Sequence, residues 1–200
     1  GLVGSEMCIR DSLWAILIRK QAHPMHFERI RSTHGPRYAA AMALYRSSFP
    51  AHELRTAASQ ARALTQDAYQ FRLIFDEAAW VGLLLCWDAG DFFYIEHFCT
   101  RPELRGRRYG QAALALLAEE GKPIILEIDP PVGDLSRRRQ GFYERAGYHA
   151  NPYAHVHPPY HAANRGHALV VMSYPDVLSA DTYAAFADYL KHTVMAGEPD

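Results

Sequence analysis

The sequence predicts a mixed α/β fold of the α+β kind, with a mostly antiparallel central sheet flanked by helices. Three observations predict it. Residues 69–100 hold three aromatic and aliphatic runs of strand length, separated by turn-like pairs. Helical patterns bracket those runs on both sides. In the C-terminal half, two further apolar runs, "PIILEID" and "ALVVMSY", alternate with helical stretches. The resulting element order is β-α-α-β-β-β-α-β-α-β(-β)-α. With 200 residues, 49% of them hydrophobic, the chain can bury a core without staples.

"MHFERIR", opening at Met25, alternates and reads as the first strand. Gly35-Pro36 breaks it. "RYAAAMALYRSSF" then sets Ala39, Met42, Ala43 and Tyr45 near helical spacing. Pro50 ends that helix and starts a second over "AHELRTAASQARAL". "YQFRLIFDE", "AWVGLLLCWD" and "DFFYIEHFCT" form an antiparallel meander, turned at Asp76-Glu77 and Ala89-Gly90. "RRYGQAALALLAEEGK" aligns Tyr109, Ala112, Ala113, Leu116 and Leu117 on one stripe and stops at Gly121 and Pro123. "PIILEID" is a short buried strand. "GDLSRRRQGFYERAG" is a helix with Asp134 as N-cap and Gly147 as its stop. "ALVVMSY" is a strand, and "SADTYAAFADYLKHTV" a closing helix capped by Ser179 or Asp181. Neither repeat nor low-complexity linker interrupts, so residues 25–200 read as one domain with a C-terminal helix.

Residues 1–24 stand apart. "MCIRDS" back-translates into what looks like a transposon sequencing adaptor read in frame. The segment is read as an adaptor or gene-calling scar, or else a disordered arm, with Met25 as the natural start. The formal net charge of -1 argues against a nucleic-acid binder working by bulk electrostatics. Cys8, Cys86 and Cys99 lack framework spacing, which suits a reducing, cytoplasmic setting. No apolar run approaches the roughly 20 residues that cross a bilayer, so no membrane partner is expected.

"CTRPELRGRRYGQ", residues Cys99 to Gln111, carries the chemistry. A helix start exposes unpaired backbone N–H groups and the positive end of the dipole. Glycine lets the backbone approach a bound group. Arg101, Arg105, Arg107 and Arg108 add charge. Together these make a cradle for a phosphate or pyrophosphate, although a solvated arginine turn has the same spacing. It is neither a P-loop nor a G-x-G-x-x-G motif, and it follows an antiparallel meander.

The element order resembles that of the GCN5-related N-acetyltransferase family. "RGRRYG" resembles the family signature Arg/Gln-x-x-Gly-x-Gly/Ala, and "GFYERAGY" its later helix. The resemblance covers roughly Met25 to Tyr174. It departs at Arg108, which stands where the signature has its first glycine.

The resemblance implies an acetyl-CoA-dependent N-acyltransferase that moves an acetyl group to a primary amine of a small polar acceptor by direct attack. Its alternative is a non-catalytic or weakly active acyl-CoA-binding module of the same fold. Two central strands would splay apart and hold the pantetheine arm, with backbone N–H groups of Phe98, Cys99 and Thr100 polarising the thioester carbonyl. Arg105, Gly106, Arg107, Arg108, Tyr109, Gly110 and Gln111 would cradle the pyrophosphate, joined by Ser136 and Arg139. Tyr143 matches the family's general acid. A free phenol titrates at about 10 and a thiol at about 8.5, so that role needs a nearby, poorly solvated thiolate.

Glu96, between aromatic neighbours, is the first candidate for general base, on the expectation that an apolar strand raises its pKa. His97 is the second. Alternation puts Tyr94, Glu96 and Phe98 on one face and Ile95, His97 and Cys99 on the other. Glu127 and Asp129 are a further pair with access to the splay. In "NPYAHVHPPYH", His155, His157 and Tyr160 read as a wall of the acceptor site. The competing readings are structural packing and a transition-metal site of His155, His157 and His161; no metal is expected. Glu53 and Arg55 are either acceptor contacts or the wet face of a helix. The C-terminal helix offers a face for a second copy, which would make a homodimer.

Overall fold

The computed structural model describes residues 25–198; the reading of residues 1–24, Cys8 included, falls outside them. The elements are β1 (Met25–Ile30), α1 (Pro36–Ser48), α2 (Ala57–Leu64), β2 (Tyr69–Asp76), β3 (Ala79–Asp88), β4 (Phe93–Thr100), α3 (Tyr109–Ala118), β5 (Ile124–Ile128), α4 (Asp134–Arg145), β6 (His149–Ala150), β7 (His155–His157), β8 (His167–Tyr174) and α5 (Ala180–Tyr189). This is the order read from the sequence, with β6 and β7 added as short strands. Among the described residues, no helix is long and apolar enough to cross a membrane.

The sheet runs β1-β2-β3-β4-β5-β8-β6, with β7 also paired to β8. Its pairs are antiparallel except β4–β5, which is parallel. Helices cover both faces. On one, α1, α2 and α5 pack Tyr45, Ala63 and Phe186 against Phe71, Leu85 and Trp87. On the other, α3 sets Ala113, Leu114 and Leu117 against Ile74, Leu84, Ile95 and Ile124. Burying one such leucine fully is worth about 1.5–3 kcal/mol.

Local chemistry sets the ends of the helices and corrects two expectations. The helix after Pro50 is not continuous. A single turn, Ala51–Glu53, comes first, and α2 starts only at Ala57, capped by Thr56, whose side chain accepts from the Ser59 N–H. The break lies at Arg55, whose backbone N–H donates to the Tyr45 hydroxyl at 3.0 Å instead of to a helical carbonyl. For α4 the cap is Gly133, not Asp134. Ser136 Oγ accepts the Gly133 N–H at 3.1 Å. Ser179 caps α5, accepting from Thr182 at 3.1 Å.

One irregularity builds the site. Against β3, His97 opposes Leu85 while Ile95 opposes Cys86, so Glu96 is an extra, bulged residue. Parallel pairing with β5 stops at the same place, at Ile95↔Leu126. Beyond it β4 and β5 part. The bulge also resets the alternation. The expected faces therefore need correction. Tyr94 and Cys99 pack on the α1/α2/α5 side with Glu96 and His97, while Ile95 and Phe98 lie on the α3/α4 side.

Candidate active site

A cleft of about 620 Å³ opens where β4 and β5 part. Its lining runs from the start of α3, past the β4 edge, to the turn before α2 and the segment after β7. Of the residues singled out from the sequence, Glu96, His97, Phe98, Cys99, Thr100, Arg105, Gly106, Arg108, Tyr109, Gly110 and Gln111 line it. So do Glu127, Arg139, Tyr143, His157 and Tyr160. Arg107, Ser136 and His155 do not: Ser136 caps its own helix, and His155 stands behind Glu127.

The α3 end is made of backbone. Arg108 precedes the helix with φ 62° and ψ 9°, the left-handed conformation that glycine adopts without strain. The signature glycine that Arg108 replaces thus answers a backbone requirement, and an arginine meets it at a cost of about 1 kcal/mol. Gly110 is small for a different reason. A Cβ there would lie 3.0 Å from Cζ of Phe142, which packs on the helix start. The Tyr109 hydroxyl donates to Asp76 Oδ2 at 3.0 Å and ties the turn to β2. The first N–H groups of α3 have no helical acceptors, and Arg105 and Arg108 line the cleft beside them; Arg139 instead donates to Asp129 Oδ2 at 2.7 Å.

Tyr143 comes off α4 into the middle of the cleft. Burial pushes its phenol up to about 12, with Arg139 pulling it down and Cys99 adding to the rise. Burial raises the Cys99 thiol as well.

The other end is made of side chains. Glu96 is wholly buried and accepts from Arg55 Nε at 2.7 Å, Trp87 Nε1 at 2.7 Å and the Tyr160 hydroxyl at 2.8 Å. Burial alone would raise its pKa, but Arg55, His97 and these hydrogen bonds hold it at about 2. This corrects the expectation of a raised pKa: a carboxylate so held is a weak base. Arg55 is no wet-face residue either. It is buried, and also donates to Ser59 Oγ at 2.9 Å and to the Val194 carbonyl at 2.7 Å.

His97 Nε2 meets the Glu53 carbonyl at 2.9 Å. A carbonyl only accepts, so Nε2 carries the proton, and Nδ1 is left buried without a partner. Burial lowers the pKa of His97, with Glu96 opposing. Glu53 lines the cleft with its own carboxyl raised, by burial and by Asp129. Glu127 is gripped by His155 Nε2 and the Tyr94 hydroxyl. Burial would raise its carboxyl, but His157, His155 and Tyr94 together lower it.

The histidines do not converge as His155, His157 and His161. His155 binds Glu127, His157 the Pro158 carbonyl, and His161 the Ala51 carbonyl. At the cleft mouth, His52, Glu53 and His167 instead bring donor atoms within 4.8 Å of one another. Trp87 and Tyr94 escaped the sequence reading as site residues, because a strand aromatic that packs the core and one that also holds a carboxylate look alike.

The sequence profile of the acetyltransferase (GNAT) family matches residues 27–148. No curated protein matches the chain. Among solved structures, a Bacteroides thetaiotaomicron protein assigned to the GNAT acetyltransferases superposes with a TM-score of 0.79 at 28% identity, over 84% of this chain and 97% of its own. An aminoglycoside 6'-N-acetyltransferase complexed with coenzyme A matches with a TM-score of 0.54 at 16% identity, over 74% of this chain and 95% of its own. A Salmonella typhimurium protein, described as an acetyltransferase and solved with acetyl-CoA, matches with a TM-score of 0.50 at 13% identity, over 78% and 97%. The two less similar structures speak for the fold alone. With a mostly antiparallel sheet, a split between its central strands and a family profile that spans more than half its length, the chain belongs to the GNAT family of acetyltransferases.

Proposed function

We propose that this protein binds acetyl-CoA in the cleft and transfers the acetyl group to a primary amine of a small polar acceptor. The observation that carries the reading is the free β4 edge beyond Ile95, which leads from the buried Glu96–His97 region to the start of α3. A strand edge without a partner presents N–H and C=O groups to an extended ligand. The pantetheine arm has amides to match them. Arg105, Arg108 and the amides at the start of α3 suit a pyrophosphate.

The thioester supplies an acetyl carbon open to attack by an amine. The chain's residues supply three things. Backbone N–H groups near Phe98 to Thr100 bind the carbonyl oxygen as it gains charge. Tyr143 donates a hydrogen bond to the sulfur and passes a proton to the departing thiolate. A phenol at about 12 does this only where the thiolate is itself poorly solvated. Proton removal from the amine falls to a histidine on the acceptor side, His97 or His157, with Glu96 fixing Arg55, Trp87 and Tyr160 around it. The reducing cytoplasm suits this reading and the free thiols of Cys86 and Cys99.

A second reading rests on Arg108. An arginine at the signature's glycine position suits a member of the fold that binds an acyl-CoA with little or no turnover. Calorimetry with acetyl-CoA and with CoA tests what the two readings share, and no heat with either removes both. A thiol-release assay over a panel of small amines then separates them, since only the enzyme releases CoA faster in the presence of an amine.

A further inference from the structure

Four side chains with metal-ligating atoms meet at the cleft mouth, and none is used in the transfer proposed above. His52, Glu53 and His167 each offer one donor atom, and the three atoms lie within 4.8 Å of one another. His52 Nε2 is 3.6 Å from Glu53 Oε1. Beside them, His167 Nε2 is 3.5 Å from Asp129 Oδ1. With bonds of about 2.0–2.2 Å, the donor atoms around a tetrahedral ion lie about 3.3–3.6 Å apart. Both pairs are therefore spaced as neighbours on one ion. The backbone that carries the donors is also fixed. In the turn Ala51–Glu53, the Ala51 carbonyl accepts from His161 Nε2 at 3.1 Å, and the Glu53 carbonyl from His97 Nε2 at 2.9 Å. His167 opens β8 and pairs with His157 of β7. Arg139 holds Asp129 Oδ2 at 2.7 Å, which leaves Oδ1 toward His167. Outer contacts of this kind orient metal ligands and raise affinity.

We propose that His52, Glu53 and His167, with Asp129 as fourth donor, bind a divalent transition-metal ion of the zinc type, and that the ion clips the turn Ala51–Glu53 to the sheet. Two imidazoles select zinc, cobalt or nickel over magnesium and calcium, which prefer oxygen ligands. Four protein donors close the coordination shell, as in structural zinc sites. The ion thus fixes a wall of the cleft and takes no part in making or breaking bonds. Glu53 and Asp129 are like charges, close enough for Asp129 to push the Glu53 carboxyl up; a bound dication offsets that repulsion. The site departs from the expectation of no metal because its donors come from three places distant in the chain, the turn after α1, the end of β5 and the start of β8. It stands whatever group the cleft transfers.

Calorimetry with zinc chloride, on the full chain without a tag and stripped with EDTA, tests the site. One ion per chain is expected, and magnesium chloride is expected to give no heat. His52→Ala and His167→Ala should each weaken zinc binding at least about tenfold, and a double variant should lose it. Hydrogen exchange on the wild type locates the clip without any variant. Zinc is expected to slow exchange in the peptide spanning Phe49 to Leu54. Slowing confined to the histidine-rich residues 155–161, or none at all, overturns the proposal. So does an equal response to magnesium, or zinc binding undiminished in a folded double variant. A wild type that ignores acetyl-CoA sinks the acetyltransferase reading instead, and the zinc titration still decides the metal site.

Discussion

The two ends of the cleft are built in opposite ways. The α3 end comes from one contiguous stretch, Phe98 to Gln111, and works through backbone amides and exposed arginines. The acceptor end joins Arg55, Trp87, Glu96, Glu127, His155, His157 and Tyr160 from across the chain, and works through buried side chains in mutual contact. A ligand common to many enzymes suits the first kind of site, since helix amides recognise phosphate whatever the rest of the molecule is. The second kind is shaped by this chain's own core, so it is where selectivity for one acceptor would reside.

This contrast predicts that side-chain changes cost far more at the acceptor end. The largest effect is expected for Arg55→Ala, which leaves Glu96 charged, buried and without its cation. Breaking such a pair costs about 3–5 kcal/mol, and urea unfolding should show a loss of that size. A loss below about 1 kcal/mol would mean the pair is wet, and the contrast would fail. Acid comes next. Glu96 titrates at about 2 in the fold and at about 4.3 in the unfolded chain. Its contribution, about 3 kcal/mol, is therefore fully present above the unfolded pKa and lost as pH falls from there through the folded one. Glu96→Gln should flatten the stability profile in that window, and an unaltered acid limb would contradict the assignment.

Smaller effects are expected nearer the cofactor. Tyr143→Phe should lower turnover at least about tenfold, a barrier change of about 1.4 kcal/mol, while calorimetry finds acetyl-CoA binding little changed. Equal activity would remove Tyr143 as the sulfur's proton donor. Arg108→Gly is expected to be the mildest. It relieves a left-handed arginine and should add about 0.5–1 kcal/mol of stability, a rise of about 2–4 °C in Tm at most. If acetyl-CoA affinity falls at the same time, the Arg108 guanidinium is a phosphate contact rather than a tolerated departure.

How much was legible follows the same division. The strands of the meander and the glycine at position 110 are written within a few residues of one another, and each was readable; the stripe of α3 was read partly off its face, since Ala112 is exposed while Leu114, left out of it, is buried. The second helix was misjudged because the break at Arg55 is caused by Tyr45 and Glu96, distant in sequence. The faces of β4 were misjudged because a bulge is a property of two strands in register, and the β4 sequence contains no mark of it. Glu96 was expected to have a raised pKa because its strand is apolar; only the fold supplies the cation and the two donors that reverse the sign.

By itself the sequence determined the order of the main elements and the helix start that follows the glycine- and arginine-rich turn. Those depend on periodicity and turn chemistry within a single turn or strand. The tertiary structure alone decided the parting of β4 from β5, the ionised state of Glu96 and the packing of His155 and His157 against Glu127. Each of these depends on which distant groups share a desolvated space. There the energy of a charge or an unfilled lone pair is set by its neighbours and not by its place along the chain.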